Sequence, residues 1–111
     1  MNLKFQSTRD VIVSTDAFAE ATRFYGSVLG LPLTDHGESL KAFETGAFCL
    51  YVENGPRHGP VFELLVADVQ AAKLQMVAAG CTVVEEDPGV PHCYVRDPFG
   101  VVFNLGRAAA S

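Results

Sequence analysis

The chain nearly repeats itself, and this repetition restricts the possible folds more than any other feature of the sequence. Residues 45–51 and 99–105 each contain a glycine that is followed by an apolar run. Each segment follows, at a similar distance, a helical stretch that ends at a glycine, Gly30 in one half and Gly80 in the other. A period of about 50 residues indicates two copies of one supersecondary unit. Because neither copy can bury its sheet alone, we expect the two to pack together around a cleft.

Apolar runs and turn residues predict the order βαβββ in each copy. In the first copy they predict strands at 9–14, 31–36, 40–44 and 47–53, and a helix at 17–29 that Asp16 caps. In the second copy they predict strands at 61–66, 82–86, 93–96 and 101–105, and a helix that Asp68 caps. We therefore expect one α+β domain over residues 1–111, with repeat one at about 8–53, a Gly- and Pro-rich linker at 54–60 and repeat two at about 61–106.

The composition excludes several classes of partner. The chain has 8 Lys and Arg residues against 13 Asp and Glu, a net charge of −5, and its basic residues are scattered singly. Nucleic acid and anionic membranes need clustered basic residues, so we expect neither as a partner. No stretch approaches the ~18 apolar residues of a membrane span, and we expect a cytoplasmic protein. The 3 cysteines lack Cys-x-x-Cys spacing, which predicts neither a disulfide framework nor a thiolate metal site.

Two segments carry a resemblance to a known family. The helix reads RFYGSVLGL over residues 23–31, and the last hairpin reads YVRDPFGVVFNL over residues 94–105. Together with the repeated βαβββ unit, they resemble the vicinal oxygen chelate superfamily, which includes glyoxalase I, extradiol dioxygenases and bleomycin resistance proteins. The resemblance implies two βαβββ repeats that form a curved mixed sheet around a cavity. In the metal-dependent members, His or Glu ligands lie on four of the strands.

The resemblance places these four ligand positions on Thr8, Leu50, Val61 and Asn104, with Arg9 and Phe62 as alternatives one residue along. None of the four is His, Glu, Asp or Cys. Catalytic metal sites need about three such ligands and an open position. We therefore expect no metal and no other cofactor in this chain.

A small-molecule cavity remains as the expected site. Because side chains alternate along a strand, we expect the ligand positions to share one face with neighbours two residues away. The predicted ligand-binding set is Thr8, Asp10, Phe48, Leu50, Val61, Glu63, Val102 and Asn104. This set is mostly apolar with a few polar groups, which is typical of a binding pocket.

The resemblance favours metal-independent binding of a small amphipathic or cationic molecule, by sequestration as in bleomycin resistance proteins, over catalysis. An acidic cleft would attract a cation. Two alternatives stay open at this point. One is a metal-dependent lyase, isomerase or dioxygenase with ligands displaced onto Asp10, His36, Glu63 or His92, and the other is a ligand-sensing module with a vestigial cavity. In each case we expect a homodimer, because family members commonly pair.

Overall fold

The computed structural model describes residues 4–87 and 92–108. Within these residues the chain forms two α-helices and eight β-strands, and each half has the order βαβββ. The predicted α+β class is therefore confirmed. The chain divides into two compact units: the first unit is Arg9–Pro60, and the second unit is the chain from Val61 onwards together with the residues that precede Arg9.

The first unit holds four strands of mixed β-sheet and one helix. Its elements are β1 (Gln6–Thr15), α1 (Phe18–Arg23), β2 (Leu33–His36), β3 (Leu40–Glu44) and β4 (Cys49–Asn54). The strands lie in the order β2-β3-β4-β1, in which β1 and β4 are parallel and the other neighbours are antiparallel. α1 continues as a π-helical segment, Phe24–Val28, and Gly30 ends it with a left-handed φ of 70°.

The core of the first unit lies between its sheet and its helix. Phe43, Leu50 and Val52 are its buried residues. The partly buried side chains packed against them come from β1, α1, the π-helical segment and the start of β2: Val11, Val13, Phe18, Ala21, Tyr25, Leu31 and Leu33. One face of β1, β3 and β4 is therefore turned toward the helix.

The second unit repeats this plan. Its elements are β5 (His58–Val66), of which the first three residues belong to the first unit, α2 (Val69–Ala78), β6 (Thr82–Asp87), β7 (His92–Arg96) and β8 (Val102–Arg107). The strands lie in the order β5-β8-β7-β6, with β5 and β8 parallel and the other neighbours antiparallel. The buried core consists of Val66, Ala72, Cys93, Val95 and Leu105.

The repetition extends to an irregularity in the strands. The pairing of β2 with β3 shifts between Leu33 and Asp35, and the pairing of β6 with β7 shifts between Val83 and Glu85. A bulge of this kind inserts one residue and redirects the side chains that follow it. Each unit thus has an acidic residue directly after a bulge.

The two helices begin differently, and the expectation for Asp16 is wrong. The Asp68 carboxylate accepts a hydrogen bond from the Ala71 backbone N–H at 3.0 Å, which makes it the N-cap of α2 as predicted. Before α1 the N-cap position is occupied by Ala17, which makes no side-chain cap. Asp16 lies one residue too early, and the Ala17 N–H donates to the hydroxyl of Thr15 instead.

The predicted linker is shorter in the structure. β4 ends at Asn54 and β5 begins at His58, so only residues 55–57 separate the two strands. Gly59 has a φ of 118°, and a Cβ there would lie 3.0 Å from the carbonyl oxygen of Ile12. This close approach to β1 requires a glycine.

Candidate functional site

The sheet of the second unit has two faces with different roles. The side chains of Leu64, Val66 and Leu105 pack in the helix-side core. Because side chains alternate along a strand, Val61, Glu63 and Leu65 of β5 lie on the opposite face, together with Val102 and Asn104 of β8 and Tyr94 of β7. We call this the distal face of the second unit. Four predicted site residues, Val61, Glu63, Val102 and Asn104, share it as the sequence led us to expect.

Two cross-strand pairs bring these four residues together. Val61 lies beside Val102, and Glu63 lies beside Asn104, in the parallel pairing of β5 and β8. Val61 is fully buried, whereas Glu63 and Val102 are half-buried. The face therefore presents one carboxylate next to apolar side chains.

The amide of Asn104 is held in one orientation. Its Oδ1 accepts a hydrogen bond from the backbone N–H of Cys93 at 3.1 Å, so its Nδ2 points the other way and donates to Oε2 of Glu63 at 3.3 Å. Asn104 is only 8% exposed, which makes the loss of either bond costly. This side chain links the backbone of β7 to the carboxylate on β5.

Gly106 provides the space in which the Glu63 carboxylate lies. A Cβ at position 106 would be 3.3 Å from Oε2 of Glu63 and 3.0 Å from Cδ2 of Leu65. Asn104 and Gly106 are two residues apart on β8 and so face the same side of the sheet. The carboxylate therefore lies against β8, next to a donor and to a residue without a side chain.

In the first unit, Leu50 does not lie on the face of the sheet that is turned away from the helix, contrary to expectation. It is 8% exposed and belongs to the helix-side core with Phe43 and Val52. The residues of β4 on the opposite face are Cys49 and Tyr51, which pair with Asp10 and Ile12 of β1. The predicted face of Asp10 is consistent with this register.

The error arises from the turns that precede β4 and β8. In the first turn the Thr45 N–H donates to the carbonyl of Phe48, and Gly46 is the first of the two residues between them. In the second turn three residues lie between the paired backbone groups, and Gly100 is the last of them. Leu50 and Asn104 each lie four residues after the glycine of their turn, and because the glycines differ in position the two side chains lie on opposite faces of their sheets. Phe48 was predicted to lie in a strand. In the structure it lies in the first turn and is 37% exposed.

Tyr51 is the residue that the sequence interpretation missed. It occupies in β4 the position that Asn104 occupies in β8, three residues beyond the last residue of the turn. Burial raises the pKa of the Tyr51 hydroxyl, and the charges of Asp10 and Cys49 raise it further. Its phenol is therefore neutral and can act as a hydrogen-bond donor.

The four positions at which the resemblance implied metal ligands do not fit a metal. Leu50 and Val61 have no donor atom, and both are buried. The Asn104 amide oxygen already accepts the Cys93 N–H, and Thr8 has only a neutral hydroxyl. Among residues 4–87 and 92–108, no group of three or more His, Cys, Asp or Glu side chains could hold a metal ion. The side chain of His92, one of the alternative ligands, lies outside the described residues.

The cysteines offer no activated nucleophile at Cys81 or Cys93. Burial raises the pKa of both thiols, and the charges of Asp97 and Glu86, respectively, raise it further. A thiol whose pKa is raised is mostly protonated at neutral pH and reacts slowly. These two residues therefore behave as small apolar residues.

Comparison with known proteins places this geometry in context. The model of the glyoxalase-like domain family matches residues 10–106, which is most of the chain. No curated protein matches the chain. Within the part of the chain that the structure describes, no helix has the length and hydropathy that crossing a membrane would require.

Several solved structures are similar to this chain, at identities that show the fold alone. The Mn(II)-bound glyoxalase from Novosphingobium aromaticivorans is 19% identical with a TM-score of 0.64, over 96% of this chain and 40% of that one. A variant of homoprotocatechuate 2,3-dioxygenase from B. fuscum is 18% identical with a TM-score of 0.65, over 97% of this chain and 34% of that one. Hypothetical protein BH1468 from Bacillus halodurans C-125 is 12% identical with a TM-score of 0.62, over 97% of both chains. This chain thus spans less than half the length of the glyoxalase and the dioxygenase.

Proposed function

Because the chain belongs to the glyoxalase-like domain family, we propose that it binds a small organic cation on the distal face of its second unit, without a metal at the ligand positions that the resemblance implied. The proposal does not include the activities of the longer glyoxalase and dioxygenase, because Leu50 and Val61 have no donor atom and Thr8 and Asn104 offer only neutral ones. The proposal concerns binding, as in sequestration, and it involves no chemical step.

The observation that carries this proposal is the position of the Glu63 carboxylate. It is half-buried on the distal face, beside Val61 and Val102, and it accepts a hydrogen bond from the buried amide of Asn104. No basic side chain forms an ion pair with it among the described residues. A carboxylate that is fixed in this way and lacks a counter-ion attracts a cation. The half-buried side chain of Val102 favours a ligand that also carries an apolar group.

The experiment is a calorimetric titration of the protein with phenethylammonium, an aromatic cation of the proposed class. We expect Glu63→Gln to weaken its affinity by at least about tenfold, because a charge-assisted hydrogen bond is replaced by a neutral contact. The matched control is Glu38→Gln, which removes the same charge from the exposed turn between β2 and β3 and should leave the affinity unchanged. Equal affinity in wild type and Glu63→Gln would contradict the proposed site.

A separate measurement tests whether binding requires a bound metal ion. We expect elemental analysis after metal-supplemented expression to find far less than one transition-metal ion per chain, and chelators to leave the titration unchanged. One tightly held Mn, Fe, Ni or Zn per chain, with binding that disappears on chelation, would instead support the metal-dependent alternative.

A further inference from the structure

We propose that the distal face of the second unit selects cations that carry at least one N–H bond, such as primary and secondary ammonium groups, over quaternary ammonium groups. This inference rests on the proposed function, since it names the class of cation that the Glu63 carboxylate accepts. Asn104 and Gly106 are the positioning residues that produce the selection, because they fix where the carboxylate lies.

Asn104 sets the orientation of the Glu63 carboxylate. Oε2 of Glu63 accepts from Nδ2 of Asn104 at 3.3 Å, and the amide cannot turn without losing its bond to the Cys93 N–H. Among residues 4–87 and 92–108, the structure gives Oε1 of Glu63 no hydrogen-bond donor. One carboxylate oxygen is thus engaged by the protein, and the other is left to accept a directional hydrogen bond from a ligand.

Gly106 provides the space beside the Glu63 carboxylate. Gly106 has no side chain, and a Cβ at this position would lie only 3.3 Å from Oε2 of Glu63. The carboxylate can therefore lie close to the sheet rather than extend away from it. An N–H donor approaches such an oxygen to about 2.8 Å. The methyl groups of a quaternary ammonium keep its nitrogen farther from the oxygen, and it has no proton to donate.

Among the residues that the structure describes, the distal face lacks the accessible aromatic surface with which proteins usually bind quaternary ammonium ions. That recognition uses the exposed faces of aromatic rings. Tyr94, the aromatic residue that pairs with Asn104 on the distal face, is only 4% exposed, so its ring is not available to a ligand. The carboxylate is therefore the recognition element on this face, and it favours a cation with an N–H bond.

The test compares phenethylammonium with its N,N,N-trimethyl derivative, which has the same ring and charge but no N–H bond. We expect wild type to bind the primary cation at least about tenfold more tightly. We expect Gly106→Ala and Asn104→Leu to reduce this preference to about twofold or less, because each displaces or releases the carboxylate. A purely structural role of these residues would weaken both cations equally and leave the ratio unchanged. If Asn104→Leu fails to fold, Gly106→Ala carries the test alone.

The outcomes separate the two proposals. Equal binding of both cations to wild type, with both weakened by Glu63→Gln, would overturn the selection and leave the proposed function standing. A wild-type preference that stays unchanged in a folded Gly106→Ala variant would overturn the positioning role. Binding that is absent, or that does not change in Glu63→Gln, would overturn the proposed function and this inference with it.

Discussion

Truncation of Leu50 to alanine tests the register of β4, on which the description of the first unit depends. Leu50 is 8% exposed and packs with Phe43 and Val52 against the helix side of the sheet. Removing a buried leucine side chain costs about 2–5 kcal/mol, through lost burial and the cavity that remains. We expect about 3 kcal/mol here, which is a large part of the roughly 5–15 kcal/mol that stabilises a domain. At about 4 °C per kcal/mol for a chain of this size, the Tm should fall by about 12 °C.

The assay is urea denaturation together with a thermal scan, with two matched variants. Leu74→Ala makes the same chemical change on α2 at a side chain that is 66% exposed, and it should change the free energy of unfolding by no more than about 0.5 kcal/mol. Leu50→Met keeps the buried volume and should cost less than about 1.5 kcal/mol. A Leu50→Ala variant as stable as wild type would refute the reasoning and place Leu50 on the face of β4 that is turned away from the helix.

Three other predictions follow from particular contacts. Asp68→Ala should lower the free energy of unfolding by about 1 kcal/mol, because α2 loses its N-cap, whereas Asp16→Ala should stay within about 0.5 kcal/mol of wild type; equal losses in urea denaturation would contradict the assignment. Hydrogen bonds from the Gly46 N–H and from Arg9 lower the pKa of the Glu44 carboxyl in the folded protein. The resulting stabilisation is present above the pKa that this carboxyl has in the unfolded chain, and it is lost as the pH falls through the lower pKa of the folded state. Glu44→Gln should therefore reduce the loss of stability between about pH 5 and pH 3, and identical pH profiles of the two proteins would be the contrary result. Exposed apolar side chains on both helices lead us to expect a homodimer, which sedimentation at micromolar concentration would contradict by detecting only monomer.

Much of the fold followed from local features of the sequence. The repeated apolar runs, and glycines that end a helix in each half, predicted the order βαβββ twice. The alternation of side chains grouped Val61 with Glu63 and Val102 with Asn104, and the resemblance placed both groups on one face, as the pairing of β5 with β8 has them. The lack of metal-ligating residue types at the four implied positions was likewise a property of the sequence.

The position of Leu50 was decided only by the tertiary structure. Both turns contain a glycine with a positive φ, but Gly46 comes first in its turn and Gly100 comes last in its own, so the glycine alone does not mark where the following strand begins. A difference of one residue reverses the face of every side chain that follows, because the side-chain period of a strand is two. The pairing of β4 with β1 decides between the two faces. It places Leu50 on the face toward the helix and Tyr51 on the face away from it.

The hydrogen bonds of Asn104 likewise depend on strands that are distant in the sequence. Its amide joins the backbone of β7 to a carboxylate on β5, 41 residues away, and the room for that carboxylate comes from Gly106. The sequence determined which residues of one strand share a face, since alternation is a local property of each strand. Only the packing of three strands against one another decided that the Asn104 amide is engaged by the protein and that one oxygen of Glu63 remains for a ligand.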